Sequence, residues 1–271
     1  MTNSTYIQGG LMTVATNYDK YIYSRSIHYI ANSGKDENNR YKGGKAGDQS
    51  KHEAELRKWY NRPWTCILRY PIPEIGLLIA RLSIDMCLND KVGYDQTNRN
   101  SYWKELQKSN YDPMQITTPC EEDCTAGVSA NVKAAGYIAS IPALQKIPIC
   151  SSRNMRKEFV KAGFQCLRDS KYLDSPKYLL PGDILLYESH HAACNISYGK
   201  NVEGEMNTVR ITGKSVNIRA EPNSKSRILG IAYQGEHFPY AFAYCSDGRG
   251  WYKINFNDKE AWVTARYSIL V

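Results

Sequence analysis

An α+β domain followed by a small all-β barrel is the fold class this sequence predicts. Three observations predict it. Helix-like apolar periodicity dominates the first half of the chain, and two strand-like runs, PGDILLYES and HHAACNIS, come later. From Val209 onward, short alternating strands then recur every eight to twelve residues between turns such as GK, EPNS, QGE, SDGRG and NDKE. The composition changes near residues 200 to 208, which divides the chain into residues 1–203 and 207–271. A chain of 271 residues has room for one large domain with a small companion.

The elements follow in order. Residues 13 to 31 carry apolar and aromatic positions (Val14, Tyr18, Tyr21, Ile22, Ile27, Ile30) that predict a first helix. NSGKDENNRYKGGKAGDQ is a Gly- and Asn-rich loop. A second helix is expected from Ser50, capped with Glu53 three residues on, through Trp59. IGLLIARLSIDMCLND reads as a buried helix whose apolar positions, such as Leu78, Leu82 and Cys87, leave Arg81 and Asp85 on the other side. YDQTNRNSYWKELQKS is a loop entering another helix. Asp123 then starts a helix with Val128 and Val132 at four-residue steps after Cys124, and Gly136 is expected to cap its end. Pro181-Gly182 marks the turn before the first of the two strands.

The formal charge is +8, with 26 basic and 22 acidic residues before Asn207 and 9 and 5 from there on. The shorter second part is thus the more densely basic, and the positive field favours an anionic polymer such as a cell wall. No helix-turn-helix, zinc finger or basic tail is present, which argues against nucleic acid. No apolar run is long enough to span a bilayer. The amino terminus lacks the pattern of a signal peptide, so a cytoplasmic product that acts outside would need separate release. The eight cysteines are scattered, without a paired CxxC set for zinc. Most read as buried, reduced thiols. The acidic loop KDENNRY does not match the EF-hand spacing, and no metal or cofactor site is assigned.

One segment, PCEEDCTAGVSANVKAAG, carries candidate chemistry. Cys124 in the first turn of a helix would have its thiolate favoured by the helix dipole and unpaired N–H groups. Thr125, Ala126 and Gly127 would leave space for a substrate, and Asp123 would cap the helix while opposing thiolate formation. The best base is His191 on the second strand, with Glu203 twelve residues later able to accept from its far ring nitrogen. A buried, inert Cys124 and a surface His191 are the alternative. His190 competes for the base role, but neighbours on a strand face opposite ways, so only one can face Cys124. His28 and His52 read as structural or surface residues, and Asp48 and Gln49 as turn or cleft-wall residues.

Taken with LPGDILLYESHHAACNISYGKNVE, that segment resembles the two signature segments of NlpC-type, papain-like cysteine peptidases. GGKAGDQS, RKWYNRPWTCILRY and NDKVGYDQTNRNSYW are similar to the N-terminal half of phage and prophage cell-wall lysins of that superfamily, the likeness running from Thr13 to Gly204. The resemblance implies a papain-like fold with Cys124 as nucleophile, His191 as general base and Tyr94 lining the cleft. Glu203 takes the third polar position, where relatives more often carry His, Asn or Gln, with Asn201 as the fallback. Thr125 replaces the usual Ser, and the Cys124 backbone N–H is the implied oxyanion donor. From Val209 to Val271, GKSVNIRAEPNSKSRILG and GWYKINFNDKEAWVTARYSIL resemble bacterial SH3-like domains. That implies a wall-anchoring barrel with candidate contacts Asn217, Arg219, Tyr233, Tyr240, Tyr244 and Trp251.

The resemblance implies an enzyme cutting an amide of bacterial peptidoglycan, in the stem peptide or at the muramoyl–alanine bond. The rival readings are a thiol acyltransferase or toxin effector and a non-catalytic wall-binding protein. Met206 in GEMN, just before the barrel, could serve as an internal start that supplies extra copies of the SH3-like domain as partners.

Overall fold

Strands begin earlier in the chain than the periodicity predicts. The computed structural model describes residues 18–24, 26–202, 208–246, 249–257 and 259–270, with the backbone alone at 241–246 and 249. The first elements are α1 (Asp19–Ile22), β1 (Tyr29–Ser33), β2 (Ala54–Lys58), β3 (Cys66–Arg69), α2 (Pro73–Leu88), β4 (Val92–Tyr94) and α3 (Ser101–Lys108). Then come β5 (Cys120–Glu122), α4 (Cys124–Ile138), α5 (Pro142–Gln145), α6 (Met155–Lys161), β6 (Gln165–Leu167), α7 (Ser170–Leu173), β7 (Ile184–Tyr187) and β8 (His191–Asn195). Strands β1, β2, β3, β6, β7 and β8 form one antiparallel sheet in the order β2-β1-β8-β7-β3-β6. A separate two-stranded parallel pair, β4-β5, leads into α4.

Alternation along the strands builds two apolar layers. Ala31, Cys66, Leu68, Ile184, Leu186, Ala192 and Cys194 face a core completed by residues of α2, α3 and α4, such as Ile79, Leu106 and Val132. Ile30, Ile67, Leu185 and Ala193 face the other way, onto Trp64, Tyr172 and Leu179. Ile30 and Ala31 therefore belong to opposite faces of a central strand, which is why the expected helix over 13–31 is not found. Only Asp19–Ile22 is helical among its described residues, and residues 1–17 lie outside the description.

The expected helix from Ser50 to Trp59 is likewise a turn followed by β2. The Ser50–Glu53 pairing is present but has another use. The Glu53 carboxylate is fully buried, with Oε1 accepting from the Gln49 and Ser50 N–H groups at 3.0 and 3.3 Å. Its Oε2 accepts from the Tyr94 N–H at 3.1 Å, tying the loop to β4. Asp85, expected on the exposed side of its helix, is buried and accepts from the Tyr18 hydroxyl at 3.1 and 2.9 Å. Gly136 is not a cap: the helix runs to Ile138, and a Cβ at Gly136 would lie 2.5 Å from Leu144 Cβ on α5. Its missing side chain lets the two helices touch.

The C-terminal part is all β: β9 (Thr208–Ile211), β10 (Ser215–Arg219), β11 (Ile228–Tyr233), β12 (His237–Ser246), β13 (Arg249–Phe256), β14 (Lys259–Thr264) and β15 (Ser268–Leu270). They form one sheet in the order β11-β10-β14-β13-β12-β9-β15, around Val209, Ile211, Val216, Ile218, Tyr252, Ile254 and Val263. This part rests on the edge of the first sheet. Gln165 Nε2 on β6 donates to the carbonyls of Ala265 and Ser268 at 2.7 and 2.6 Å. A Cβ at Gly250 would lie 2.6 Å from Pro71 Cγ, so the two parts meet backbone to ring. Beside this contact the buried Arg69–Asp183 pair, at 2.8 and 2.6 Å, fixes the end of β3 to the start of β7. Met206 and Glu203 lie outside the described residues. Among the described residues no helix is long and apolar enough to cross a membrane.

Candidate active site

Strand β5 delivers the chain into α4, and the junction is fixed by charge. Asp123 caps the helix, its Oδ1 accepting from the N–H groups of Thr125 and Ala126 at 2.9 and 2.8 Å. Arg99 holds that carboxylate from the other side, Nε to Oδ2 at 2.6 Å and Nη2 to Oδ1 at 2.9 Å. The same Nη2 reaches Thr125 Oγ1 at 2.7 Å and the Cys150 carbonyl at 2.6 Å. One guanidinium thus joins the loop before α3, the start of α4 and the segment after α5.

The structure places Cys124 as the first residue of α4, half-buried, with its thiol facing the Ala192 N–H of β8. The small residues after it do not open a path for substrate, as the sequence suggests. Thr125 and Ala126 are buried, and a Cβ at Gly127 would lie 2.4 Å from Glu122 Oε2. The space beside Gly127 is filled by the Glu122 carboxyl, which accepts from the Gly127 N–H at 3.2 Å.

His191 opens β8 and is 6 % exposed. Its Nε2 lies 2.9 Å from Asn32 Oδ1 on β1 and 3.3 Å from the Tyr60 hydroxyl. Tyr60 itself donates to Asn32 Oδ1 at 3.0 Å, and Trp64 stacks on the imidazole at 6.1 Å. Since Oδ1 can only accept, Nε2 carries the proton, and in the neutral ring Nδ1 keeps its lone pair. Burial, then the charges of Arg62 and Arg57, hold the imidazole down to about 3, against a smaller pull from Asp123. Burial and the Asp123 charge push the Cys124 thiol up to about 12, opposed by the Ala192 N–H and Arg99. At rest both groups are therefore neutral, and a proton would leave the sulfur only as it attacks.

Cys124, His191, Tyr94 and Asn32 line one cleft of about 520 Å³. Its lining also includes the acids Asp36, Glu37 and Glu55 and the bases Arg57 and Arg62. Tyr94 is buried on β4, with its hydroxyl accepting from Gln96 Nε2 at 3.1 Å. His190 is exposed at the rim and stacks on Tyr187 at 4.2 Å. Asn201 is exposed in a turn, where its N–H donates to the Lys177 carbonyl at 2.9 Å, and the Nε2 partners of His191 are instead Asn32 and Tyr60. Glu203, expected to orient His191, lies outside the described residues. Asn32, Tyr60 and Arg99 are what sequence reasoning missed. Asn32 is 159 positions from His191. No local spacing points to it.

In the barrel, Asn217 and Tyr233 are exposed on neighbouring strands, whose register pairs Asn217 with Ile231 and Ser215 with Tyr233. Arg219 donates to the Ser226 carbonyl at 2.7 Å and braces its own turn. Tyr240 packs edge-on to Tyr252 at 6.0 Å. Trp251 is 3 % exposed, so the open contact expected of it is not available. The Tyr244 side chain lies outside the description. Among the described residues no group of three or more His, Cys, Asp or Glu is arranged to hold a metal.

A family model described as an endolysin-like domain matches residues 30–202, and one described as a bacterial SH3 domain matches residues 214–268. No curated protein and no solved structure matches the chain. An endolysin-like domain joined to a bacterial SH3 domain suggests a peptidoglycan hydrolase. With more than half of its residues inside the first match, the chain belongs to the endolysin-like domain family.

Proposed function

We propose that the chain is a papain-like, NlpC-type cysteine hydrolase of peptidoglycan, with the catalytic unit in residues 1–203 and a wall-anchoring barrel in 207–271. One observation carries this reading. A cysteine at the first position of a helix shares a cleft with a histidine whose far nitrogen is fixed by an amide, at 2.9 Å. Attack begins as Nδ1 of His191 takes the Cys124 proton and the sulfur adds to the carbonyl of the scissile amide. The tetrahedral oxyanion forms at the N-terminus of α4, where the Cys124 N–H and the helix dipole favour negative charge. His191 then returns the proton to the leaving amine, and water resolves the acyl-enzyme. Asn32 replaces Glu203 and Asn201 as the orienting group in this reading.

The mutual attraction of thiolate and imidazolium compensates for part of the burial that each charge alone resists. Arg99 contributes by neutralising Asp123, whose negative charge otherwise opposes the thiolate. The bond cut is a stem-peptide amide, γ-glutamyl in preference to muramoyl–alanine. Asn217 and Tyr233 present the exposed barrel surface for the wall. An internal start at Met206 would add free barrels, seen as a short species beginning at that residue. The enzyme acts on the wall after release from the cell that makes it.

The test is clearing of purified Gram-positive walls by wild type and Cys124→Ala, with a sedimentation assay for wall binding. Loss of clearing with binding retained is expected. Equal clearing by both proteins would overturn the Cys124 mechanism. Mass spectrometry of the products identifies the bond.

A further inference from the structure

Arg62 sits between β2 and β3, half-buried in the wall of the cleft that holds His191. Its Nη1 donates to the Tyr60 hydroxyl at 3.3 Å, and its guanidinium lies 5.9 Å from the Tyr187 ring. Of the two arginines that line the cleft, Arg57 has its acid, Glu55 at 3.1 Å. Among the described residues no carboxylate lies within ion-pair distance of Arg62. A planar fork of donors, partly shielded from water and steadied by two tyrosines, is built for a carboxylate. The acidic side of the cleft does not supply one: Glu55 is taken by Arg57, and Glu37 accepts from the Lys45 N–H at 3.0 Å.

We propose that Arg62 binds a free carboxylate of the substrate beside the scissile amide, so that the cleft selects stem peptides whose γ-linked glutamate is not amidated. This rests on the reading of the cleft as a peptidoglycan amide hydrolase. A γ-linked glutamate keeps its α-carboxyl group next to the amide that is cut. Conversion to the carboxamide removes the charge and one acceptor, leaving the guanidinium without its anion. Arg62 reaches His191 through Tyr60 and through its charge, so the assignment is read from the ratio between two substrates at one pH and not from the absolute rate.

The experiment compares two disaccharide stem peptides that differ only in that α-group, carboxylate or carboxamide, with wild type, Arg62→Gln, Arg62→Lys and Cys124→Ala. Wild type should prefer the carboxylate in kcat/KM by about tenfold to a hundredfold. Arg62→Gln should bring the ratio close to one, with the loss falling mainly on the carboxylate substrate, and Arg62→Lys should keep part of the preference. Equal cleavage of both substrates by wild type, or an equal loss on both in Arg62→Gln, overturns the proposal. If wild type cleaves neither, or Cys124→Ala cleaves as well as wild type, the hydrolase reading itself falls and takes the Arg62 assignment with it.

Discussion

Asn32 and His191 stand 159 residues apart in sequence and 2.9 Å apart in space, joined through Oδ1 and Nε2 across the adjacent strands β1 and β8. This bond fixes both tautomer and ring plane, and Trp64 limits tilting from the side. Replacing Asn32 with Ala should leave the fold intact and lower kcat by about 10²-fold, with little change in KM. Steady-state kinetics on a soluble stem peptide, with circular dichroism as a control, checks this. A variant with unchanged kcat would remove Asn32 from the positioning role.

The pH dependence of turnover follows from the surroundings of the same histidine. His191 is held down to about 3 by burial and by two arginines, so it remains a neutral base far below the ordinary histidine range. The acid limb of kcat/KM should therefore lie well below pH 6.5. Arg62→Gln removes one of the two charges and should move that limb upward. A limb near 6.5 in wild type would show that His191 titrates as a free imidazole.

Arg99 and Asp123 make a second separable prediction. Arg99→Met leaves a carboxylate that is 8 % exposed without its cation, one residue before Cys124. Stability should fall by about 3–5 kcal/mol, the cost of stranding a buried charge. Activity should fall more steeply than stability explains, because the bare Asp123 charge opposes the thiolate. Combining Arg99→Met with Asp123→Asn should restore most of the stability. A double-mutant cycle by urea unfolding measures the coupling, and additive losses would refute the pairing.

What was legible in the sequence had local causes. The cap at Asp123, the helix behind it and the turn at Pro181-Gly182 each depend on residues a few positions apart. The barrel strands were legible for the same reason: their period-two pattern and turn residues sit within single hairpins. Strand β1 was not, because Ile30 and Ala31 separate onto two faces only when β8 is beside them. The Ser50–Glu53 pair shows a local signal with a nonlocal use: the same two residues can close a helix cap or a loop, and the Tyr94 N–H decides for the loop. The amide bonded to His191 comes from another strand of the sheet, which spacing around His191 does not reveal.

Two adjacent buried carboxyls give the protein a pH-dependent weakness. Burial, reinforced by neighbouring acids, pushes both Glu121 and Glu122 up to about 8. Below pH 4.5 these groups are protonated in folded and unfolded chains alike, and they have no effect on the balance. As pH rises from 4.5 to about 8 the unfolded chain ionises while the folded one does not, so stability is lost across that window. Glu122→Gln keeps the neutral shape of the protonated carboxyl. It should match wild type near pH 4 and exceed it in Tm at pH 8, an advantage on the order of several kcal/mol. A Tm difference that is flat across pH would exclude this titration.

The contact between the two parts includes hydrogen bonds from one polar side chain, which a single substitution tests. Gln165 makes two bonds to the barrel backbone, at the carbonyls of Ala265 and Ser268, from an edge strand of the first sheet. Gln165→Ala leaves those carbonyls unpaired against the sheet edge, at about 1–3 kcal/mol each if they stay buried. Opening the contact rehydrates them at the expense of the docking geometry. Gln165 itself belongs to neither apolar cluster, although its side chain also meets that of the buried Tyr252. Limited proteolysis should therefore separate the two parts faster, while kcat on a soluble peptide remains unchanged. Clearing of intact walls should fall, since an anchor that swings freely no longer presents the cleft to the anchored strand. Unchanged proteolysis would mean that Gly250 and Pro71 hold the two parts together without Gln165.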